Sequence, residues 1–181
     1  MEDMELKIYQ FEIHKQCEFA FISVNYMNEA LRNLGSKNGN TQLWFFVQSF
    51  LVSSANVSKL LWGSGRNAEK TAERRKDLRK SLQIDENSML KNTRFRNHFE
   101  HFDERIENWA SSSERKNFID SNIGPGNMIV GVNEEDFLRN FDTDTMTIKF
   151  KGDTFEIQPI VDELVKLVRV AELEKNKWGG F

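Results

Sequence analysis

Apolar residues recur at three- and four-residue steps through the first third of the chain, which is the spacing of a helix with one apolar side. Met4, Ile8 and Phe11, then Phe19, Ile22, Tyr26 and Ala30, predict one long first helix ending near Gly35, where Gly35-Ser-Lys-Asn-Gly-Asn40 reads as a polar loop. A second helix is expected from just after Asn40 to Trp62, stopped by Gly63-Ser-Gly65. It is apolar on nearly every side yet carries Gln48, Ser49, Ser53, Ser54, Asn56 and Ser58, which predicts the central, most buried helix. Ser49 and Ser53 suit the close approach of a neighbouring helix; Asn56 is a buried amide that needs partners and is a candidate to bond a later helix or line a cleft.

Residues 68–82 are good helix formers with hardly any apolar face. A further helix is expected from Ser88 to about Ala110, because Phe95, Phe99, Phe102, Ile106 and Trp109 follow a 4-3-4-3 spacing that lines them up on one side. Ser111-x-x-Glu114 reads as a capping box, and Gly124-Pro-Gly126 then ends the helical pattern. From Phe137 to Phe141, Met146 to Phe150 and Thr154 to Ile157 the period changes to two, with Lys151-Gly-Asp153 as a hairpin connection. Pro159 suits the first turn of a last helix, whose buried face is Ile160, Leu164, Leu167 and Ala171 with Val161, Val165 and Val168. The pattern as a whole predicts a mainly α fold, an up-and-down helical bundle of four to five helices with a small antiparallel β-hairpin insertion. It is read as one domain over 1–181, its helical core at about 5–110 plus 159–176 and its β element at about 127–158.

Composition narrows the class without changing the fold. The chain has 181 residues, only 10 Gly and 2 Pro, and 15 Phe with 4 Trp, so it is poor in turn formers and has aromatic bulk enough for a core. Its formal charge of -3 argues against coating nucleic acid by bulk electrostatics and leaves room for a local basic site. That site would be Arg66 to Lys80, where Arg74, Arg75 and Arg79 are candidates to face phosphate; a solvated helix with i,i+4 ion pairs accounts for the same residues. The acidic Met1-Glu-Asp-Met-Glu start, without a following apolar run, argues against a signal or transit peptide, and no stretch is apolar enough to span a membrane. Cys17 is the one cysteine, so no intrachain disulfide or thiolate metal cluster is expected, and cytoplasm is the simplest compartment.

The stretch richest in chemistry is Arg94-Phe-Arg-Asn-His-Phe-Glu-His-Phe-Asp-Glu-Arg105, which holds two of the 3 histidines. On a continuous helix Asn97 and His101 fall one turn apart, with Arg94, His98 and Arg105 near them, while Arg96 lies about 140° from His101. An exposed helix with ion pairs such as Arg96 with Glu100 explains the composition. His98 and His101 at i,i+3 are a rival metal pair, but no third ligand is specified and neither H-E-x-x-H nor a Glu-x-x-His pair occurs. Phosphate-loop, dinucleotide and nucleophile-elbow patterns are also missing, so no cofactor is implied.

The order Arg96-Asn97-x-x-x-His101, in a late helix of a helical chain, resembles the R-x4-H motif of the HEPN superfamily, helical proteins that include metal-independent ribonucleases and toxin components. The resemblance covers roughly residues 5–110 by layout. It implies a homodimer whose motif helices meet, placing Arg96 and His101 of both copies in one cleft. Cleavage of RNA by its own 2′-hydroxyl needs a base, an acid and positive charge on the developing phosphorane. His101 is then the acid/base, Arg96 the phosphate stabiliser and Asn97 the residue that orients the imidazole or binds a phosphate oxygen, with Arg94, His98 and Arg105 nearby as binding residues. Many HEPN toxins continue as R-x4-H-x-Y, the Tyr being adenylylated by a partner nucleotidyltransferase; here the position is Asp103. The resemblance therefore predicts a metal-independent endoribonuclease, with RNA or a nucleotide as ligand and a protein such as an antitoxin as possible partner. A non-catalytic HEPN-like module that binds a nucleotide or protein, and a purely structural helical dimer, are the alternatives.

Overall fold

The computed structural model describes residues 1–92, 101–114 and 116–178. Among these are three long helices, α1 (Asp3–Arg32), α2 (Gly39–Trp62) and α6 (Ile157–Lys177), and three shorter ones, α3 (Ala68–Arg74), α4 (Lys76–Ser81) and α5 (Phe102–Ser112). Four short strands, β1 (Asn122–Ile123), β2 (Arg139–Asp142), β3 (Thr147–Phe150) and β4 (Asp153–Glu156), form one sheet in chain order. The fold is mainly helical, as the periodicity predicts.

The tight turn between α1 and α2 lays the two helices side by side, and α6 packs along α1. Gly39 makes the turn possible, because a Cβ there would lie 2.4 Å from the carbonyl oxygen of Asn33. Ile13, Cys17, Ala20 and Met27 of α1, Leu43, Val47, Phe50 and Leu61 of α2, and Leu164, Leu167 and Ala171 of α6 form the common core. A side chain such as Phe50, fully enclosed, is worth about 3–5 kcal/mol against truncation to alanine. As expected, α2 buries more of its residues than any other helix. Ser53, Ser54 and Ser58 lie among them, and Ser54 returns its hydroxyl to the Phe50 carbonyl at 2.8 Å.

The stripe that announces α1 is not the face that packs. Met4, Ile8, Phe19, Ile22 and Tyr26 are exposed, and the buried side runs instead through Gln10, Ile13, His14, Cys17, Ala20, Ser23 and Met27. One polar buried member has two partners across the layer: Gln10 donates to Ser81 Oγ at 3.0 Å and accepts from Trp178 Nε1 at 3.1 Å.

The β element is larger than a hairpin. Strands β2, β3 and β4 form the expected antiparallel meander, with Phe141, Ile148 and Phe155 in register on the core side. Lys151 and Gly152 both take positive φ, the backbone a two-residue hairpin loop requires. Strand β1 adds a parallel edge to β2, with Asn122 opposite Asn140. Arg139 fastens this sheet to the helices: its guanidinium lies 5.5 Å from the Trp44 ring of α2 and 5.3 Å from Phe102 of α5, while Nε donates to Asp120 at 2.8 Å.

The single helix expected from Ser88 to Ala110 is not what forms. Ser88 accepts a hydrogen bond from the Leu90 amide and donates to Glu163 of α6, holding 89–91 as one 3₁₀ turn with Leu90 buried, and Asn92 is extended. His101, at φ -120° and ψ 43°, precedes α5 rather than lying within a helix. Phe102 and Trp109 of the predicted stripe pack on the sheet side: Phe102 edges against Phe150 at 6.0 Å, and the Trp109 indole donates to the Asp136 carbonyl at 2.9 Å. The capping box forms at Asn133 with Asp136, whereas Ser111 belongs to the last turn of α5. No helix among the described residues is long and apolar enough to cross a membrane.

Candidate functional site

Of the motif residues, Arg94, Arg96, Asn97 and His98 lie outside the described residues, as do Phe95 and Phe99. His101 and Arg105 are described, and they bracket the first turn of α5, where the Arg105 amide donates to the His101 carbonyl at 3.1 Å. The His101 side chain is 52% exposed, and its Nδ1 lies 3.2 Å from Glu104 Oε1. A carboxylate on Nδ1 orients the ring, and Nε2 has no hydrogen-bond partner among the described residues, an arrangement suited to proton transfer. Arg105 is half-buried, and its Nε has no hydrogen-bond partner among the described residues.

The basic segment divides differently from either expectation. Arg74 is exposed, and Nη2 bonds Glu5 Oε1 at 2.9 Å, an ion pair that ties α3 to the start of α1. Arg75 and Arg79 turn inward. A helix leaves its last carbonyls without intrahelical donors, and α2 ends inside the protein, so those oxygens need partners. Arg75 Nη1 donates to the carbonyls of Lys59 and Leu60, Nη2 to Tyr9 Oη at 2.8 Å, and the guanidinium covers the Tyr9 ring at 4.7 Å. Arg79 is 4% exposed; Nη1 donates to Leu61 O at 2.9 Å and Ala72 O at 2.7 Å, and Nε to Glu86 Oε1 at 2.8 Å. The Arg79 bond and charge hold the Glu86 carboxyl below its usual range. These two arginines cap α2 and do not face a phosphate.

Asn56 is half-buried and donates to Gln16 Oε1 of α1 at 3.2 Å, a partner within the α1–α2 pair. His14 is buried, with Glu18 3.5 Å from Nδ1. Burial, with Glu18 adding to it, pushes the Cys17 thiol up to about 12, which removes it as a thiolate nucleophile. Among the described residues no group of three or more His, Cys, Asp and Glu is arranged to hold a metal ion. Sequence reasoning passed over Asn140, Asp142 and Lys151, which line an open cavity of about 540 Å³ beside the sheet. For Asn140 and Asp142 the sign was their alternation with Phe141 in β2; Lys151 stands in the β3–β4 turn.

No protein-family model, curated protein or solved structure matches this chain.

Proposed function

We propose that the chain is a HEPN-like, metal-independent endoribonuclease that works as a homodimer, with Arg96, Asn97 and His101 of each copy contributing to one cleft. The observation that carries this reading is the Arg96-Asn97-x-x-x-His101 order ending in a histidine that is half-exposed, engaged on Nδ1 by Glu104, and set at the start of a helix. His101 Nε2 takes the 2′-hydroxyl proton or supplies one to the leaving 5′-oxygen, and the copy from the partner performs the other transfer. Arg96 stays charged at all working pH values and donates to the phosphorane oxygens. Arg105, one turn on from His101, adds a cation beside the site. The uncovered apolar stripe of α1, joined by Phe45 of α2, supports self-association, because monomers seldom leave such a surface bare.

A specific observation favours a second reading, the non-catalytic module that binds a nucleotide or a protein such as an antitoxin. With Arg75 and Arg79 used internally, the surface that would attract RNA loses two of its cations in a chain already at -3. One experiment separates the two. Labelled RNA incubated with the protein in EDTA is expected to be cut to 2′,3′-cyclic phosphate ends, and Arg96→Ala or His101→Ala each lowers the rate by roughly a hundredfold or more with the circular dichroism unchanged. Mixing the two inactive variants is expected to restore part of the activity if each cleft draws on both copies. Varied RNAs left intact with and without divalent metal would transfer the case to the binding module.

A further inference from the structure

The sheet has two faces of different character. Phe141, Ile148 and Phe155 form the rank that joins the core; Asn140, Lys149 and Thr154, in register on the adjacent rank, point to the opposite face. The chain between Gly124 and Asp136 crosses that second face without sealing it, leaving the 540 Å³ cavity between loop and sheet. One group inside is anomalous. Asn140 is 2% exposed; its Oδ1 accepts from Asn122 Nδ2, and its own Nδ2 is buried with no partner among the described residues. A buried donor left unused costs about 1–3 kcal/mol, so one that lines a cavity calls for an acceptor from outside the chain.

The charges along the cavity are ordered. Asp142 and Asp144 stand at the β2–β3 turn, Lys149 stands in the middle with Glu134 at 2.9 Å, and Lys151 stands at the β3–β4 turn. The central pair neutralises itself. Asp142, Asp144 and Lys151 form no ion pair among the described residues, although the charge of Lys149 reaches Asp142 and that of Glu135 reaches Lys151, so the two ends of the cavity present opposite charge. Asp142 is fixed as a carboxylate: the amides of Thr145 and Asp144 donate to Oδ1 at 3.0 Å and hold its pKa low. Lys151 is half-buried, and that burial makes its ammonium easier to deprotonate than usual; Ser112 Oγ is its hydrogen-bond partner. The register puts Asp142 opposite Thr147 and Asn140 opposite Lys149, with Lys151 two residues on. Acid, amide and ammonium therefore follow each other in two-residue steps, and the ends are about 13 Å apart at strand rise.

We propose that this groove binds a short peptide with both ends free, about three residues long and extended, its ammonium at Asp142 and Asp144, its carboxylate at Lys151, and a peptide carbonyl accepting from Asn140 Nδ2. An extended tripeptide spans about 10 Å. The remaining distance of about 3 Å is shared by the two terminal contacts, each about 2.8 Å long and slanted to the strand axis. A nucleotide would satisfy Lys151 with its phosphate but would bring no cation to the two carboxylates.

Calorimetric titration of the whole chain tests this with trialanine, N-acetyl-trialanine, trialanine amide and adenosine monophosphate as probes. Trialanine is expected to bind with a saturable heat, and blocking either end to weaken it roughly tenfold, the value of one charge-assisted hydrogen bond. Lys151→Gln should remove the preference for trialanine over its amide, and Asp144→Asn should shrink the preference over the acetylated peptide; both positions are hairpin turns, so melting temperatures should stay unchanged. Equal binding of free and blocked peptides would overturn the proposal, as would no heat from any of them. Monophosphate binding lost in Lys151→Gln would replace the peptide with a nucleotide.

Discussion

Two arginine-bearing places in this protein look alike in sequence and differ in what their donors do. In Arg66 to Lys80 the terminal guanidinium nitrogens of Arg75 and Arg79 are absorbed by carbonyls at the end of α2, while at the start of α5 the His101 side chain stands 52% exposed with Glu104 beside its Nδ1. Local charge density does not separate the two. What does is the supply of unsatisfied acceptors nearby: a helix that stops inside the protein consumes cations, and a helix that starts at the surface does not.

The sharpest way to break this contrast is Arg79→Met, which strands the Leu61 and Ala72 carbonyls and is expected to cost about 2–4 kcal/mol by urea titration. A loss under about 0.5 kcal/mol would return Arg79 to the surface class. Arg75→Met should cost less, about 1–2 kcal/mol, because its site is half-buried and Tyr9 keeps a path to water. Asp120 tests a third cation, Arg139, through pH. Burial raises the Asp120 carboxyl, but the bonds and charge of Arg139 outweigh it and hold the group below its usual range. A depressed folded pKa stabilises above the unfolded value, near 3.9, and the contribution is lost as pH falls through the folded pKa. Asp120→Asn should therefore lower stability by about 1 kcal/mol at pH 7, and the gap to the parent should close below about pH 4. Smallest of all, Arg74→Ala removes only an exposed pair and should change stability by less than about 0.5 kcal/mol.

Much of the helical frame was legible because long stretches of regular spacing average out local exceptions. The limits of α1, α2 and α6 agree with the periodicity to within a few residues, and the β2–β4 meander with the alternation. Orientation was less legible. Met4, Ile8, Phe19, Ile22 and Tyr26 of the α1 stripe are exposed, and Gln10 is accepted into the interior by Ser81 and Trp178, partners so distant in the chain that no spacing rule encodes them. Strand β1 is two residues long, too short to carry any period. The interruption at Ser88–Asn92 depends on Glu163, 75 positions away, and the inward turn of Arg75 and Arg79 on where α2 happens to end. Of the motif residues, His101 and Arg105 are placed; Arg94, Arg96, Asn97 and His98 stay with the sequence argument.

The pairing of α1 with α6 also bears on how the molecule assembles. Gln10 and Trp178 meet although 168 positions separate them, whereas each strand of the meander reaches its partner across a turn. Closing a loop costs entropy that grows with its logarithm, so the pairs joined by a turn, the meander and α1 with α2, are expected to form before α6 docks. Leu167→Ala should accordingly speed unfolding and leave the folding rate nearly unchanged, while Ile148→Val slows folding, a division that stopped-flow chevrons read directly. The lifetime of the folded state is then governed by how long α6 stays docked.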